Sequence, residues 1–244
     1  LQSLGLVKGD RVAIMMPNVP QYPVAVAAIL RAGLVVVNVN PLYTPRELEH
    51  QLKDSGSKAI IIVENFASTL QSCIANTQTK HVVLATMGDR MGMIKGMVIN
   101  FVVRSVKKLV PQFSLPGAVR FNDALARGSK ALFQKPEIRH DDVALLQYTG
   151  GTTGVSKGAV LLHSNIIANV LQSEAWNEPS MSQVPKGEQL TNICALPLYH
   201  IFAFTVNMML SLRMGGKSIL IPNPRDLPAV LKELSKQTFH SFPA

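Results

Sequence analysis

Several residue types are scarce in this chain, and each scarcity excludes a class of structure. There are two cysteines among 244 residues, Cys73 and Cys194, and they lie far apart without metal-ligand spacing. They therefore indicate reduced thiols of a cytosolic protein and not a disulfide framework. The longest uninterrupted apolar run is Val24–Leu30. A membrane-spanning helix needs about 20 such residues, so the sequence predicts none.

Acidic residues are also scarce, at 15 against 24 basic ones, which gives a net charge of +9. The excess is concentrated in residues 91–140, which hold nine basic and two acidic side chains. A nucleic acid, an anionic membrane or a phosphate-rich ligand would suit such a segment. It lacks the interleaved aromatic side chains that stack on bases, so we predict no nucleic-acid partner.

Apolar residues make up 47% of the chain, which excludes intrinsic disorder and favours a large buried core. Short β-branched runs alternate with segments of helical periodicity, and Thr44-Pro45-Arg46-Glu47 is a capping box that predicts a helix to Ser55. This alternation predicts an α/β fold with layered, largely parallel sheets flanked by helices. The predicted strands of the first half are Arg11–Met16, Leu34–Val39, Lys58–Val63 and His81–Thr86.

Residues 91–110 interrupt this alternation and predict a basic amphipathic helix. Asn100, Arg104, Lys107 and Lys108 fall in one sector, opposite a broad apolar arc. Such a helix can lie flat on anionic lipid. The alternative, favoured on general grounds, is that its apolar arc packs on the domain's own core.

In the second half, Val143–Tyr148 and Ala159–Leu162 are predicted strands that enclose a glycine-rich loop. Ser164 is the predicted N-cap of the next helix. The other predicted elements are a helix over Asn165–Trp176, a polar loop over Asn177–Glu188, a strand over Leu190–Ala195, a helix over Phe202–Met214, a strand over Lys217–Ile221 and a helix from Asp226 to Gln237.

The loop Tyr-Thr-Gly-Gly-Thr-Thr-Gly-Val-Ser-Lys-Gly, residues 148–158, has the chemistry of a phosphate site. Its glycines allow tight turns that direct several backbone N–H groups at one anion. The threonine and serine hydroxyls add uncharged donors, and Lys157 adds a mobile positive charge. The predicted phosphate contacts are Thr149, Gly150, Gly151, Thr152, Thr153, Gly154, Ser156, Lys157 and Gly158.

Two other interpretations of this loop are weaker. A Walker A loop has Gly-Lys-Ser/Thr leading directly into a helix. Here two residues separate Gly154 from Lys157, and a strand follows Gly158. A hairpin turn without a ligand rarely needs so many glycines together with a lysine.

The loop closely resembles the signature phosphate loop of the adenylate-forming enzymes, which include acyl-CoA synthetases, luciferases and the adenylation domains of nonribosomal peptide synthesis. A second motif of that family matches Leu-Pro-Leu-Tyr-His-Ile-Phe-Ala at residues 196–203. The segments at 38–48 and 223–228 are similar to bacterial long-chain fatty-acid–CoA ligases in particular. The resemblance extends over essentially the whole chain.

The resemblance implies ATP-dependent activation of a long-chain fatty acid, with an acyl-adenylate intermediate and coenzyme A as the acceptor. It implies Mg²⁺ as a cofactor, with Thr149 as the loop's contribution to the metal site. It also implies catalytic roles for Lys157 and His200, with His200 near the reacting carboxylate and Phe204 along the acyl channel. From the residues alone, without this motif, the favoured interpretation is that His200 is a histidine at a helix start that bonds a nearby carbonyl.

The first residue is Leu, and the family's adenine, ribose and catalytic-lysine motifs are not found in these 244 residues. We therefore expect residues 1–244 to be part of a larger N-terminal AMP-binding domain, and not to make acyl-CoA by themselves. One alternative is an adenylate-forming ligase for another carboxylic acid. Another is a membrane-surface module in which Arg104, Lys107 and Lys108 contact anionic lipid. The expected location is cytoplasmic, peripheral on the inner face of the cell membrane, and the oligomeric state is left open.

Overall fold

The computed structural model describes residues 1–149, 156–185 and 187–243. The chain divides into two compact units. The first comprises Leu1–Met16 and Pro20–Leu162, and the second comprises Pro17–Val19 and His163–Ala244. No helix in the described part of the chain combines the length and the apolar character that crossing a membrane requires.

The first unit is built on a seven-stranded sheet in the order β5-β4-β3-β1-β2-β6-β7. All neighbouring strands in it are parallel except β6 and β7, which are antiparallel. This confirms the predicted α/β fold with a largely parallel sheet. The strands are β1 Arg11–Met15, β2 Val35–Asn38, β3 Ala59–Val63, β4 His81–Ala85, β5 Val119–Arg120, β6 Val143–Thr149 and β7 Lys157–Leu162.

The helices of the first unit follow the strands in the order that the sequence predicts. Thr44 and Glu47 form the predicted capping box, with reciprocal bonds between side chain and backbone. A short helix over Ala67–Gln71 is followed by a separate 3₁₀ turn over Ile74–Asn76. The helices are α1 Gln21–Arg31, α2 Pro45–Ser55, α3 Ala67–Gln71, α4 Met93–Phe101 and α5 Phe121–Gly128.

One core cluster of the first unit lies between the sheet and helices α2 and α3. Leu48 and Leu52 of α2 and Leu70 of α3 pack on alternate residues of the strands, such as Ile60 and Ile62. The strand residues whose side chains point to the other face of the sheet are buried as well, among them Val12, Ile14 and Val36. Because both faces of the central strands are buried, their near-continuous apolar composition is explained.

The segment after β4 differs from the favoured prediction. It is helical, as α4 followed by a π-helical turn over Val102–Val106. Its apolar arc does not pack on the core, since Ile94 is 71% and Phe101 is 62% exposed. The expected core packing is therefore wrong. Polar groups on the opposite side of this helix, described below, bind the rest of the unit instead.

The second unit contains a two-stranded parallel sheet of β8 and β9. Helix α6 begins at His163, so Ser164 lies inside the helix and the predicted N-cap is wrong. The helix also continues past Trp176 to Met181, through residues predicted as loop, and contains Pro179 in its last turn. The elements are α6 His163–Met181, β8 Thr191–Cys194, α7 Ile201–Ala203, a π-helical turn Phe204–Met209, α8 Leu210–Arg213, β9 Lys217–Leu220 and α9 Leu227–Leu234.

Helix α9 is capped as the sequence predicts, because the Asp226 carboxylate accepts a bond from the Ala229 N–H at 3.2 Å. It ends at Leu234, three residues before the predicted end at Gln237. One core cluster of this unit joins the two strands to α9. Its buried members are Ile193, Ile219, Ile221 and Val230.

Candidate functional site

The glycine-rich loop leaves the sheet at the end of β6 and returns at the start of β7. Tyr148 pairs with Gly158 and Thr149 with Lys157 across these antiparallel strands. Because β6 is parallel to β2, the end of β6 at Thr149 and the start of β7 at Lys157 lie at the carboxyl edge of the parallel strands, where open α/β sheets bind ligands. The predicted phosphate contacts Gly150, Gly151, Thr152, Thr153 and Gly154 lie outside the described residues.

The first stem of the loop is fixed by Tyr148. Its hydroxyl donates a hydrogen bond of 2.5 Å to the Asp54 carboxylate on α2. Burial of the ring, and then the bond to that carboxylate, raise the pKa of Tyr148 above its ordinary value, so the hydroxyl remains a donor at neutral pH. The ring also fits closely against Gly158, where an added Cβ would lie 2.9 Å from a ring carbon.

The second stem is fixed by His50, also on α2. Its Nε2 donates to the Ser156 carbonyl at 3.0 Å. His50 and Asp54 are four residues apart in α2, so both side chains lie on one side of the helix. One helix side therefore holds the chain on both sides of the loop.

A buried hydrogen-bond network connects α2 to strands β2 and β6 next to the loop. The Tyr22 hydroxyl donates to Asn38 Oδ1 at 2.6 Å, and Asn38 Nδ2 donates to Gln147 Oε1 at 3.3 Å. Gln51 of α2 donates to the Asn38 carbonyl at 2.7 Å. Because buried polar groups are costly unless paired, this network fixes the ends of β2 and β6 and their distance from α2.

Thr149 and Lys157 are both exposed at the base of the loop. As directly paired residues of neighbouring strands, they have side chains on the same face of the sheet. A hydroxyl and an ammonium group are thus brought together at the mouth of the loop. Ser156 and Gly158 are partly buried beside them.

The side chains at the base of the loop fit Mg²⁺, which needs few protein ligands, better than they fit a metal held by several protein side chains. In the described part of the chain, no group of three or more His, Cys, Asp or Glu side chains could hold a metal ion. Thr149 carries a hydroxyl group, which is a hard oxygen ligand. Mg²⁺ commonly takes one or two protein ligands and completes its shell with phosphate oxygens and water, so Thr149 fits this role.

The second predicted motif lies in the second unit. His200 is the N-cap of α7, and its Nδ1 accepts a bond from the Phe202 N–H at 3.4 Å. Its side chain is otherwise exposed, so the capping role and a ligand contact through Nε2 are compatible. Phe204 is buried at the start of the π-helical turn, a type of irregularity that is frequent at functional sites.

Asn18 holds the segment that leads to His200. Its Nδ2 donates to the carbonyls of Cys194 and Leu196, each at 2.9 Å, and its Oδ1 accepts from the Leu198 N–H at 2.8 Å. The Asn18 side chain thus binds three backbone groups of the chain between β8 and His200. Burial raises the pKa of the neighbouring Cys194 thiol to about 12, so this thiol is unreactive at neutral pH.

The sequence prediction did not include Asn18, His50, Gln51 and Asp54. Each contacts a partner distant in the chain, and no local pattern predicts such a contact. The one available signal was on α2, where polar residues interrupt the apolar side of a well-capped helix. Asn18 follows a turn-forming proline, and that position alone suggests only a turn.

Comparison with known proteins places these features in a family. All of the chain, residues 1–244, matches the family described as AMP-binding enzyme. The chain belongs to the AMP-binding enzyme family. Among curated members, a long-chain-fatty-acid–CoA ligase of Salmonella typhimurium is 56% identical over 98% of this chain. The chain spans 42% of that relative's length.

Solved structures agree on the fold. An anthranilate CoA ligase in complex with anthranoyl-AMP is similar over 99% of this chain and 41% of its own, with a TM-score of 0.76 at 20% identity. An ATP-bound MatB from Rhodopseudomonas palustris is similar over 98% of this chain and 40% of its own, with a TM-score of 0.70 at 26% identity. The AMP-binding fold therefore accounts for the observed arrangement of strands and helices.

Proposed function

We propose that the whole protein is a long-chain fatty-acid–CoA ligase and that residues 1–244 are part of its large N-terminal AMP-binding domain. The observation that carries this proposal is the glycine-rich loop at the carboxyl edge of the sheet, with both stems bound to α2. The high identity to curated long-chain-fatty-acid–CoA ligases supports the choice of substrate class.

The proposed reaction has two steps. A carboxylate oxygen of the fatty acid attacks the α-phosphorus of ATP, and the bond from that phosphorus to the bridging oxygen breaks, which releases pyrophosphate. The sulfur of coenzyme A then attacks the carbonyl carbon of the acyl-adenylate, and AMP leaves as the carbon–oxygen bond breaks. The thiol proton passes to a base or to water.

The loop would act mainly in the first step. Negative charge accumulates on the departing pyrophosphate, and preorganised donors directed at that charge lower the barrier. Lys157 is the charged group proposed for this role, with the backbone and hydroxyls of Gly150, Gly151, Thr152, Thr153, Gly154, Ser156 and Gly158 as neutral donors. Because α2 holds Tyr148 and Ser156 in place, these two flanking residues would need little reorganisation when ATP binds.

Thr149 is the residue that would hold Mg²⁺ together with the phosphates. Mg²⁺, when bound, would neutralise part of the phosphate charge. The paired position of Thr149 and Lys157 supports a division of work in which the hydroxyl contacts the metal and the ammonium contacts phosphate oxygen.

His200 and Phe204 are the proposed contacts on the acyl side. The exposed ring of His200 at a helix start is suited to orient the reacting carboxylate. Phe204 would line the acyl channel. The proposed location of the whole protein is cytoplasmic and peripheral on the inner face of the cell membrane, supported by the basic residues 91–140.

The proposal is tested by the substrate preference of the full-length protein. Purified protein is given ATP, Mg²⁺ and coenzyme A with palmitate, oleate, benzoate or malonate, and AMP and acyl-CoA are quantified. We expect AMP and thioester to appear in equal amounts with palmitate and oleate, and kcat/KM to be at least about tenfold lower for the other acids, in the range that pocket complementarity provides. A preference for benzoate or malonate would contradict the fatty-acid assignment.

A further inference from the structure

Helix α4 and the π-helical turn after it expose an apolar surface to solvent. The side chains involved are large, and Met93 is the most exposed, at 79%. Soluble monomers rarely expose contiguous apolar patches of this kind unless a partner covers them. We define the α4 outer face as Met93, Ile94, Met97, Val98, Phe101, Val106 and Leu109, which are all exposed.

The opposite side of the same helix explains why the apolar side faces outward. Gly96, Asn100 and Arg104 follow one another at intervals of four residues, so they lie on one side of the helix. Gly96 is the buried residue of α4, and a Cβ there would lie 2.5 Å from the carbonyl oxygen of Gly88. The helix backbone can approach its neighbour this closely because Gly96 has no side chain.

Asn100 and Arg104 add specific polar bonds on that inner side. Asn100 Oδ1 accepts from the Gly88 N–H at 2.8 Å, and its Nδ2 donates to Thr86 Oγ1 at 2.9 Å. Arg104 forms a bidentate pair with the buried carboxylate of Glu64, with both distances 2.7 Å. These contacts fix the rotation of the helix about its own axis, and so they hold the apolar side toward solvent.

The charges around the outer face indicate what covers it. Residues 91–122 contain five basic side chains and no aspartate or glutamate. Lys95, Lys107 and Lys108 are exposed on this segment, whereas Arg104 is engaged by Glu64. Lys107 and Lys108 follow the end of the π-helical turn at Val106. An exposed apolar surface in a segment that also carries exposed lysines complements an anionic lipid bilayer, in which the apolar side chains would lie below the headgroups and the lysines among them. A second copy of this chain would bring the same positive charges together.

We propose that the α4 outer face docks the protein on anionic lipid, with the apolar side chains inserted and Lys95, Lys107 and Lys108 at the headgroups. The inference deepens the proposed function and rests on it in one respect, because a ligase for poorly soluble fatty acids would take its substrate from the bilayer. It changes the expected role of Arg104, which orients the helix by binding Glu64 and does not contact lipid.

The test is flotation of the full-length protein with vesicles, in the absence of ATP. Vesicles contain phosphatidylethanolamine and phosphatidylglycerol at about 3:1, which gives them an anionic surface, or phosphatidylcholine alone. The variants are Ile94→Ser/Phe101→Ser, Lys107→Ala/Lys108→Ala, and Leu132→Ser as the matched control. Leu132 is 87% exposed but lies away from α4 in sequence.

We expect wild type and Leu132→Ser to bind the anionic vesicles equally. Ile94→Ser/Phe101→Ser should lower the partition coefficient at least about tenfold, because insertion scales with buried apolar area. Lys107→Ala/Lys108→Ala should lower it severalfold and reduce its dependence on salt. Unchanged folding of each variant is checked by its thermal unfolding midpoint.

Three results would overturn the inference. In the first, Ile94→Ser/Phe101→Ser binds the anionic vesicles like wild type. In the second, wild type itself does not bind them. In the third, wild type forms a dimer that this double substitution dissociates. Acyl-CoA formation from detergent-solubilised palmitate is measured on the same samples. A failure of docking with intact ligase activity would remove this inference alone, whereas loss of ligase activity in wild type would remove the proposed function.

Discussion

Helices α2 and α4 belong to the same unit, and they use their polar and apolar sides in opposite ways. Helix α2 buries Leu48 and Leu52 in the core and directs polar side chains to the base of the loop. Helix α4 buries Gly96 and exposes its large apolar side chains. Both are amphipathic, but only α2 follows the usual rule that the apolar side faces the core.

The difference shows that the direction of an amphipathic helix is set by its partners. The core against which α2 packs is the face of a sheet, and its strands supply apolar side chains. The surface that α4 contacts supplies backbone groups, the Thr86 hydroxyl and the Glu64 carboxylate, which select polar residues. A hydrophobic pattern identifies the apolar side of a helix but does not tell which side faces inward.

The largest effect expected from this comparison concerns stability. Leu48→Ala on α2 should lower the free energy of unfolding by about 2–5 kcal/mol, because it leaves a cavity in a fully buried site. Ile94→Ala on α4 should change it by less than about 0.5 kcal/mol, because that side chain is already in water. Urea unfolding followed by circular dichroism measures both. A comparable loss for Ile94→Ala would show that the outer face is buried in the protein and would break the comparison.

The inner side of α4 should show the next largest effect. Asn100→Ala removes two hydrogen bonds and leaves the Gly88 N–H without its partner, so we expect a loss of about 1–3 kcal/mol in the free energy of unfolding. Ser105→Ala, an exposed position in the same helical segment, is the control and should be near neutral. If the two variants are equally stable, Asn100 does not fix the helix.

For the polar residues of α2, the expected effect is on the KM for ATP. His50→Ala in the full-length protein should raise KM for ATP about tenfold, equivalent to about 1.4 kcal/mol, because the chain at Ser156 loses its support. His50→Gln, which can still donate to that carbonyl, should restore most of the loss. The control is Lys53→Ala, which removes a surface pair with Glu49. Equal KM values for His50→Ala and Lys53→Ala would exclude a positioning role.

The smallest effect concerns the N-terminal caps of the two helices. Hydrogen bonds from the Thr44 backbone and side chain lower the pKa of Glu47 in the folded protein. The cap therefore contributes its full stability above the ordinary glutamate pKa of about 4.3. This contribution is lost as the pH falls through the lowered pKa of Glu47 in the folded protein. Glu47→Gln should therefore flatten the dependence of stability on pH below about 4.3. The change should be under about 1 kcal/mol, and pH-dependent thermal unfolding measures it. Helix α4 begins at Gly92 without a side-chain cap bond, so it has no counterpart.

Much of the fold could be predicted from the sequence because the patterns that specify its helices and strands involve residues close together in the chain. The capping box at Thr44 and the β-branched runs depend on neighbouring residues, and the predicted elements are found there. The ends of α6 and the direction of α4 could not be predicted in this way. Pro179 is compatible with either a loop or a last helical turn, and the partners of α4 are remote in sequence.

In the candidate site, the loop residues could be predicted from the sequence, whereas the residues that support the loop could not. Glycines, hydroxyls and a lysine in one short segment are a local signal, and they predict a phosphate-binding loop. The residues that hold this loop are on α2, about 100 positions earlier in the chain, as the separations of His50 from Ser156 and of Asp54 from Tyr148 show. Such supporting residues are recognised once the fold brings the two segments together.

The central claim is that the loop between β6 and β7 binds the phosphates of ATP. The most direct test is isothermal titration of the full-length protein with MgATP, comparing Lys157→Ala with Lys53→Ala. The account predicts a Kd at least about tenfold weaker for Lys157→Ala, a loss of about 1.4 kcal/mol or more, and an unchanged Kd for Lys53→Ala. Equal affinities for the two variants and wild type would contradict it.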